Sequence, residues 1–351
     1  MKHILNQAAA LILSLLLLYG LALVIAVPTM SRPTGANLDT ASAARSVFMT
    51  EPKYAFLNRS LLNTTGDKTI LLGASNVLAG FRPAQMQGRV PATTVHNLAI
   101  GGSNMTEVRQ MVDLVLEVQS PGARAHNVFV IGLWYGLFAD DQARWFTADR
   151  HPGDTDLDIE RYRYAFYRRT DSGPVPLLPP RWLDSGVTLI TPFLLVDRLA
   201  RDASKILRAD RPLAATADRA TLPDARRQQQ YLTFWQDYMG ASGRLGEQPF
   251  ASLQQTIDSI VASGGRVLLV DLPLPRWHAE ASPYDASYRQ HLSAIRQGLE
   301  GVAAVSFLSL RDEDRPEDFS DEVHPRPDLA ARWAARLADA LNALPNGVAT
   351  K

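Results

Sequence analysis

The sequence predicts an α/β protein in which helices cover both faces of a parallel sheet, set behind an N-terminal membrane helix. Three observations lead there. Short buried-strand patterns alternate with amphipathic helical ones, Gly- and Ser-containing turns fall where those strands end, and the chain begins with a long uncharged apolar run.

The whole-chain numbers set bounds on these elements. At 351 residues, 46% of them hydrophobic, the chain can bury one large core or two modest ones. Lys plus Arg and Asp plus Glu are 36 each, so no global field would recruit nucleic acid, and none is expected as a partner. Cysteine is absent, which excludes disulfides and thiolate metal sites. No metal or cofactor signature is present either: GxGxxG, GK[ST] and EF-hand spacing are all missing.

Taken in order, Ala8 to Val27 is an uncharged run about the length needed to cross the hydrocarbon core of a bilayer, so residues 8–27 are expected to contact lipid. Residues 1–27 are either an uncleaved anchor or a long secretory signal peptide, since Val24-Ile25-Ala26 satisfies the small-residue rule for cleavage. The anchor is favoured because the run exceeds the usual length of a signal peptide's apolar region. Lys2 before it is opposed by Arg32 and Arg45 after it, so charge does little to set the orientation, and the large C-terminal part is expected outside the cytoplasm. Residues 28–67, rich in Pro, Ser, Thr and Asn, read as a tether.

A core is expected over residues 68–138 and 249–345. Lys68–Ala74 is a short buried strand followed by a turn at Ser75 and a helical stretch that Pro83 interrupts. Thr93–Ile100 is a second strand, ending in Gly101-Gly102. Asn104 then caps a helix with Glu107 three residues on, and Val108, Met111, Val112, Val115 and Leu116 share one face. Asn127–Leu133 is a third strand. After an interruption the pattern resumes with a helix near Leu253–Val261, a strand Arg266–Leu272, a helix near Tyr288–Leu299 and a strand Ala304–Leu308. Pro327 opens a last helix in which Leu329, Trp333, Leu337 and Leu341 repeat. The interruption, residues 139–248, reads as an insertion or lid rich in arginine and aromatics, from Trp145 and Phe146 to Tyr231, Phe234, Trp235 and Tyr238. These residues suit either a platform for sugar rings or a small core of the insertion's own.

The chemistry-bearing residues lie at the strand ends. Ser75 sits where a strand meets a helix, and in an open parallel sheet such turns bind ligands. A serine hydroxyl needs a base, and backbone N–H groups at the helix start can stabilise an oxyanion. Asp321 and His324 supply the base: the carboxylate orients one imidazole nitrogen and frees the other toward Ser75. Gly101 and Gly102 can offer a second oxyanion donor beside the Ser75 N–H. Asn76, Trp134 and Tyr135 adjoin these segments as candidate substrate-binding residues. The acidic stretch Asp312, Glu313, Asp314, Glu317 and Asp318 reads as a solvated loop rather than a cation site.

In combination these segments resemble the SGNH (GDSL-like) hydrolase superfamily. Gly73-Ala74-Ser75-Asn76 resembles its first block, Asn97 to Ser103 its second with Gly102 as the donor glycine, and Asp321-x-x-His324 its last. Gly132-Leu133-Trp134-Tyr135-Gly136 departs from the third block, with Trp134 where an Asn donor is expected. The resemblance implies a flavodoxin-like three-layer sandwich and a Ser75, His324, Asp321 triad. The anchor and the Pro273-Leu274-Pro275-Arg276-Trp277 stretch are similar to single-pass SGNH-like proteins of envelope acylation, the DltD-like and alginate- or cellulose-O-acetylation proteins. It further implies an enzyme at the cell inner membrane with its catalytic domain in the periplasm. That enzyme would take an acyl group, acetyl by that likeness, from a membrane-bound O-acyltransferase partner and pass it to an envelope glycan. A carbohydrate esterase or lipase-like hydrolase, and an inert glycan-binding scaffold, are the alternatives.

Overall fold

A computed structural model describes residues 2–45, 49–90, 93–141, 151, 153–171, 173–193, 195–196, 200 and 222–344. Among the described residues are strands β1 (Asp67–Leu72), β2 (Thr93–Asn97), β3 (Asn127–Leu133), β4 (Tyr167–Thr170), β5 (Gly173–Pro176), β6 (Arg266–Asp271) and β7 (Val305–Ser309). Five of them form one parallel sheet in the order β2-β1-β3-β6-β7, while β4 and β5 pair as an antiparallel hairpin. Counting the sheet's strands alone, the order is that of flavodoxin-like sheets, and it reverses between β1 and β3.

β3 is buried along its whole length, as a central parallel strand covered on both faces must be. Alternation then assigns the faces. Leu71, Val130, Leu268 and Val270 pack with Val77, Phe81, Leu329, Trp333 and Leu337, so the helices Ser75–Gly80 and Pro327–Ala343 cover one side. The neighbouring residues of the strands turn the other way, and Leu72 adjoins Val108 and Met111 of the helix Met105–Val118. That helix packs against Glu247–Ala262, which completes the third layer. The Asn104 cap forms as expected: its Oδ1 accepts from the N–H groups of Thr106 at 3.1 Å and Glu107 at 3.3 Å, while Glu107 Oε2 accepts from Asn104 N–H at 3.3 Å.

The described chain divides into two compact units. One is drawn from Met1–Arg32, Ser42–Asn58 and Asp158–Ala215, the other from Pro33–Ala41, Arg59–Leu157 and Thr216–Lys351, which holds the sheet. In the first, the helix Lys2–Ala26 is long and apolar enough to cross a membrane.

Two expectations change here. The described residues of 28–67 are folded rather than a tether. In the first unit Thr50 caps the helix Glu51–Leu57 and Tyr54 is fully buried. In the second, Leu38 and Leu62 are buried, and Leu38 N–H donates to His96 Nδ1 at 3.1 Å. Burial, with Lys68 nearby, pushes His96 down to about 4, so it accepts that bond as a neutral ring. Residues 139–248 are not one inserted body either. The stretch from Asp158 belongs to the first unit, whereas the helix Ala225–Met239 belongs to the sheet unit. Trp145 and Phe146 lie outside the described residues.

Trp333 is the largest fully buried side chain, packed 5.9 Å from the Phe81 ring and against Gly80, where an added Cβ would meet its ring at 2.6 Å. Trp333→Ala is expected to lower stability by about 3–5 kcal/mol, read from the denaturant midpoint of the full chain in detergent; a loss under about 1 kcal/mol would contradict this packing.

Candidate active site

The turn after β1 brings Ser75 to the carboxyl edge of the sheet, at the point where the strand order reverses. Gly73 makes the turn possible. Its φ is +144°, and a Cβ there would lie 2.5 Å from Val77 Cγ2 and 3.1 Å from the Gly132 carbonyl oxygen. Ala74 is extended and Ser75 opens the helix Ser75–Gly80.

The segment after β2 grips this turn at both ends. The Gly73 carbonyl accepts from Ile100 N–H at 3.1 Å and from the Ser103 hydroxyl at 3.0 Å. At the far end of the short helix, Asn97 Nδ2 donates to the carbonyls of Phe81 at 2.7 Å and Val77 at 3.3 Å, and its Oδ1 accepts from Ala99 N–H at 3.1 Å. Asn97 is fully buried, so each of these bonds replaces one that water cannot make.

The partner loop is closed on itself. Ser320 N–H donates to the His324 carbonyl at 2.9 Å, Arg326 N–H to the Asp318 carbonyl at 2.8 Å, and Phe319 bridges Pro325. Inside it, Asp321 Oδ1 accepts from the N–H groups of His324 at 2.8 Å and Val323 at 3.0 Å, and Oδ2 lies 2.7 Å from His324 Nδ1. His324 Nε2 lies 2.8 Å from Ser75 Oγ. Burial raises the Asp321 pKa, but the hydrogen bond and charge of His324 and the two backbone donors outweigh it and hold the carboxyl below its ordinary range. Burial pushes His324 down, yet Asp321's hydrogen bond and charge, with the charge of Glu322, leave it above the ordinary imidazole value. An ionised Asp321 takes the proton-bearing Nδ1, which leaves the Nε2 lone pair facing the Ser75 hydroxyl.

The acidic stretch before this loop is ion-paired rather than freely solvated. Asp314 pairs with Arg276 at 3.0 Å, Glu313 and Asp318 with Arg332 at 3.0 and 2.6 Å, and Asp312 with Arg336 at 2.7 Å. Among the described residues no group of His, Asp and Glu is placed to hold a metal ion.

A second hydrogen-bonded chain, not anticipated from the sequence, supports the loop from behind. His278 Nδ1 lies 2.7 Å from the Glu322 carbonyl oxygen and its Nε2 lies 2.6 Å from the Tyr135 hydroxyl. A carbonyl only accepts, so Nδ1 carries the proton and Nε2 accepts from Tyr135. Burial pushes His278 down to about 4, keeping it neutral, and raises the Tyr135 hydroxyl far above its ordinary value. The Glu322 carboxyl is itself raised to about 7, by burial and by the adjacent Asp321 charge, against partial relief from its own backbone, from His324 and from the Trp235 indole.

Ser75 and His324 open into a pocket of about 220 Å³. Gly102 and Ser103 line it on one side of Ser75, and Trp134 and Gly136 on the other. Phe234, Trp235 and Tyr238, from the helix Ala225–Met239, close it outward. Trp235 meets Trp134 edge to face at 4.9 Å, and Trp134 lies so close over Gly136 that a Cβ there would be 2.3 Å from its ring.

Of the residues expected at the site, Ser75, His324, Gly102 and Trp134 line this pocket, with Asp321 directly behind His324. Three do not line it. Gly101 is exposed outside it; Asn76 is buried, with its Oδ1 accepting from Val77 N–H at 3.0 Å; Tyr135 is fully buried, with its hydroxyl committed to His278. Where an Asn donor is expected, the Trp134 indole N–H is buried without a hydrogen-bond partner.

No family model and no curated protein matches the chain.

Tyr135→Phe removes the donor to His278 and leaves a buried acceptor unpaired, and is expected to cost about 1–3 kcal/mol. Chemical denaturation of the full chain checks this; an unchanged midpoint would mean that the Tyr135–His278–Glu322 chain does not hold the loop.

Proposed function

We propose that the chain is a membrane-anchored serine acyl-transfer enzyme of SGNH type, with Ser75 as nucleophile, His324 as base and Asp321 as the group that orients it. The hydrogen-bonded line from Ser75 Oγ through His324 to Asp321 carries this assignment. Its place at the reversal of strand order, where open sheets of this kind bind ligands, supports it.

In the first step Ser75 Oγ attacks an ester carbonyl as His324 Nε2 takes its proton, and Asp321 stabilises the imidazolium. The oxyanion faces the backbone N–H groups of Ser75 and Gly102, and His324 returns the proton to the departing alkoxide. An acyl-Ser75 remains. In the second step His324 deprotonates an acceptor hydroxyl, which attacks the acyl-enzyme and restores Ser75. With water as acceptor the result is an esterase. With a glycan hydroxyl it is an O-acyltransferase, and the aromatic pocket walls favour the latter by limiting water at the acyl-enzyme. The apolar helix Lys2–Ala26 would hold the site at the outer face of the inner membrane, beside a membrane-bound O-acyltransferase donor and an envelope glycan.

A fluorophosphonate probe applied to the full chain in detergent is expected to modify Ser75, located by mass spectrometry, with no adduct in Ser75→Ala. Labelling elsewhere, or none in folded protein, would sink the assignment. Asp321→Asn is expected to slow labelling by roughly 10³–10⁴-fold, the loss that follows from the wrong imidazole tautomer. The labelling rate is expected to fall on acidification through a midpoint above the ordinary imidazole value, because the raised pKa keeps His324 protonated to higher pH. Glu322→Gln removes a charge that favours the imidazolium and is expected to move this midpoint to lower pH. A midpoint at or below that of free imidazole would contradict the Asp321 contact.

A further inference from the structure

We infer that the acyl group carried by Ser75 is a straight chain of about four to eight carbons rather than acetyl, an inference that rests on the acyl-transfer assignment and on the pocket beside Ser75. The pocket's volume is about 220 Å³. An apolar cavity of about 150 Å³ holds the six carbons of benzene, so this one has room for roughly eight or nine atoms of that size, shared by the acyl group and the departing or attacking oxygen. Acetyl would place a single methyl group in it.

Topology fixes which part of the substrate enters. β1 lies between β2 and β3, so Gly102 and Ser103, after β2, flank Ser75 on one side, and Trp134 and Gly136, after β3, flank it on the other. The carbonyl oxygen turns to the Gly102 N–H and the leaving or accepting oxygen must meet His324 Nε2. The third substituent of the attacked carbon, the acyl tail, is left with the Trp134 side. There the wall is apolar: the Trp134 ring fixed over Gly136, and Trp235 held edge-on against it at 4.9 Å. Glu322, the one carboxyl lining the pocket, belongs to the His324 loop and has the Trp235 indole beside it. A wall built of aromatic side chains packed on one another is preformed, and each methylene it takes out of water favours binding by roughly three- to fourfold.

The test uses the full chain in detergent with p-nitrophenyl acetate, butyrate, hexanoate, octanoate and dodecanoate, following the first-turnover release of nitrophenol against a Ser75→Ala blank. The acylation rate per unit ester is expected to rise about tenfold or more from acetate to hexanoate and to fall again by dodecanoate, which exceeds the pocket. Trp235→Ala, which opens the outer wall, is expected to shift the optimum to a longer chain. A maximum at acetate or no dependence on chain length would overturn the inference while leaving Ser75 acylation intact. Failure of every ester and of the fluorophosphonate to modify Ser75 would overturn the enzyme assignment and this inference with it.

Discussion

The 2.8 Å contact between Ser75 Oγ and His324 Nε2 joins side chains 249 residues apart in sequence, and much of the sheet unit serves to hold the two loops that make it. A serine hydroxyl and an imidazole at that distance contribute little by themselves, since either side chain could satisfy its hydrogen bonds with water. The contact persists because neither loop is free to move. Gly73 and Asn97 fix the Ser75 turn from the β1–β2 side, and the Asp321 carboxylate folds the His324 loop around its own backbone donors. The ion pairs of Arg332 and Arg336 then tie the chain before that loop to the last helix, whose Trp333 packs against the Ser75 helix at Gly80. The Ser75 helix and the His324 loop are thus braced against the same buried indole.

The parallel sheet was legible because its strands are buried on both faces and therefore read as short continuous apolar runs between turn residues. Asn127–Leu133 and Arg266–Asp271 are of this kind. Residues 28–67 were not legible, for a physical reason. The groups that tie them down, Leu38, Tyr54 and Leu62, are single anchors in short helical turns and loops, and such segments have no period to detect. The helix Ala225–Met239 shows the complementary limit. Its aromatics mark it as a packing surface, but which body it packs against is a tertiary fact that no local pattern carries.

At the site, the approach of Ser75, Asp321 and His324 could be anticipated from spacing and strand context, because the proposed chemistry demands a recognisable order. The supporting chain could not. Tyr135, His278 and Glu322 lie on three separate segments, and each resembles an ordinary buried or loop residue until the fold aligns a hydroxyl, an imidazole and a backbone carbonyl. His278 falls one residue after the Pro273–Trp277 stretch that the sequence singles out, so the segment was visible and its working residue was not. The carbonyl of Glu322 carries this contact, and a backbone group leaves no trace in residue identity.

Three ionisable groups within four consecutive residues, Asp321, Glu322 and His324, are driven to different protonation behaviour by their surroundings. Asp321 receives two backbone donors and an imidazole and stays charged. Glu322, one residue on, receives burial and the repulsion of that charge and titrates near 7. The difference matters for His324, whose pKa both carboxylates raise. Each negative charge beside it favours the imidazolium, whereas the proposed first step needs a neutral ring to take the serine proton. The raised pKa of Glu322 weakens the second of those charges, while Asp321 keeps the ring oriented. The Trp235 indole contributes from the other direction, because its N–H favours the ionised Glu322 carboxyl and offsets part of the effect of burial. A side chain that lines the pocket therefore also bears on Glu322 and, through its charge, on His324, so a change at Trp235 alters the width of the pocket and the pH response of His324 together.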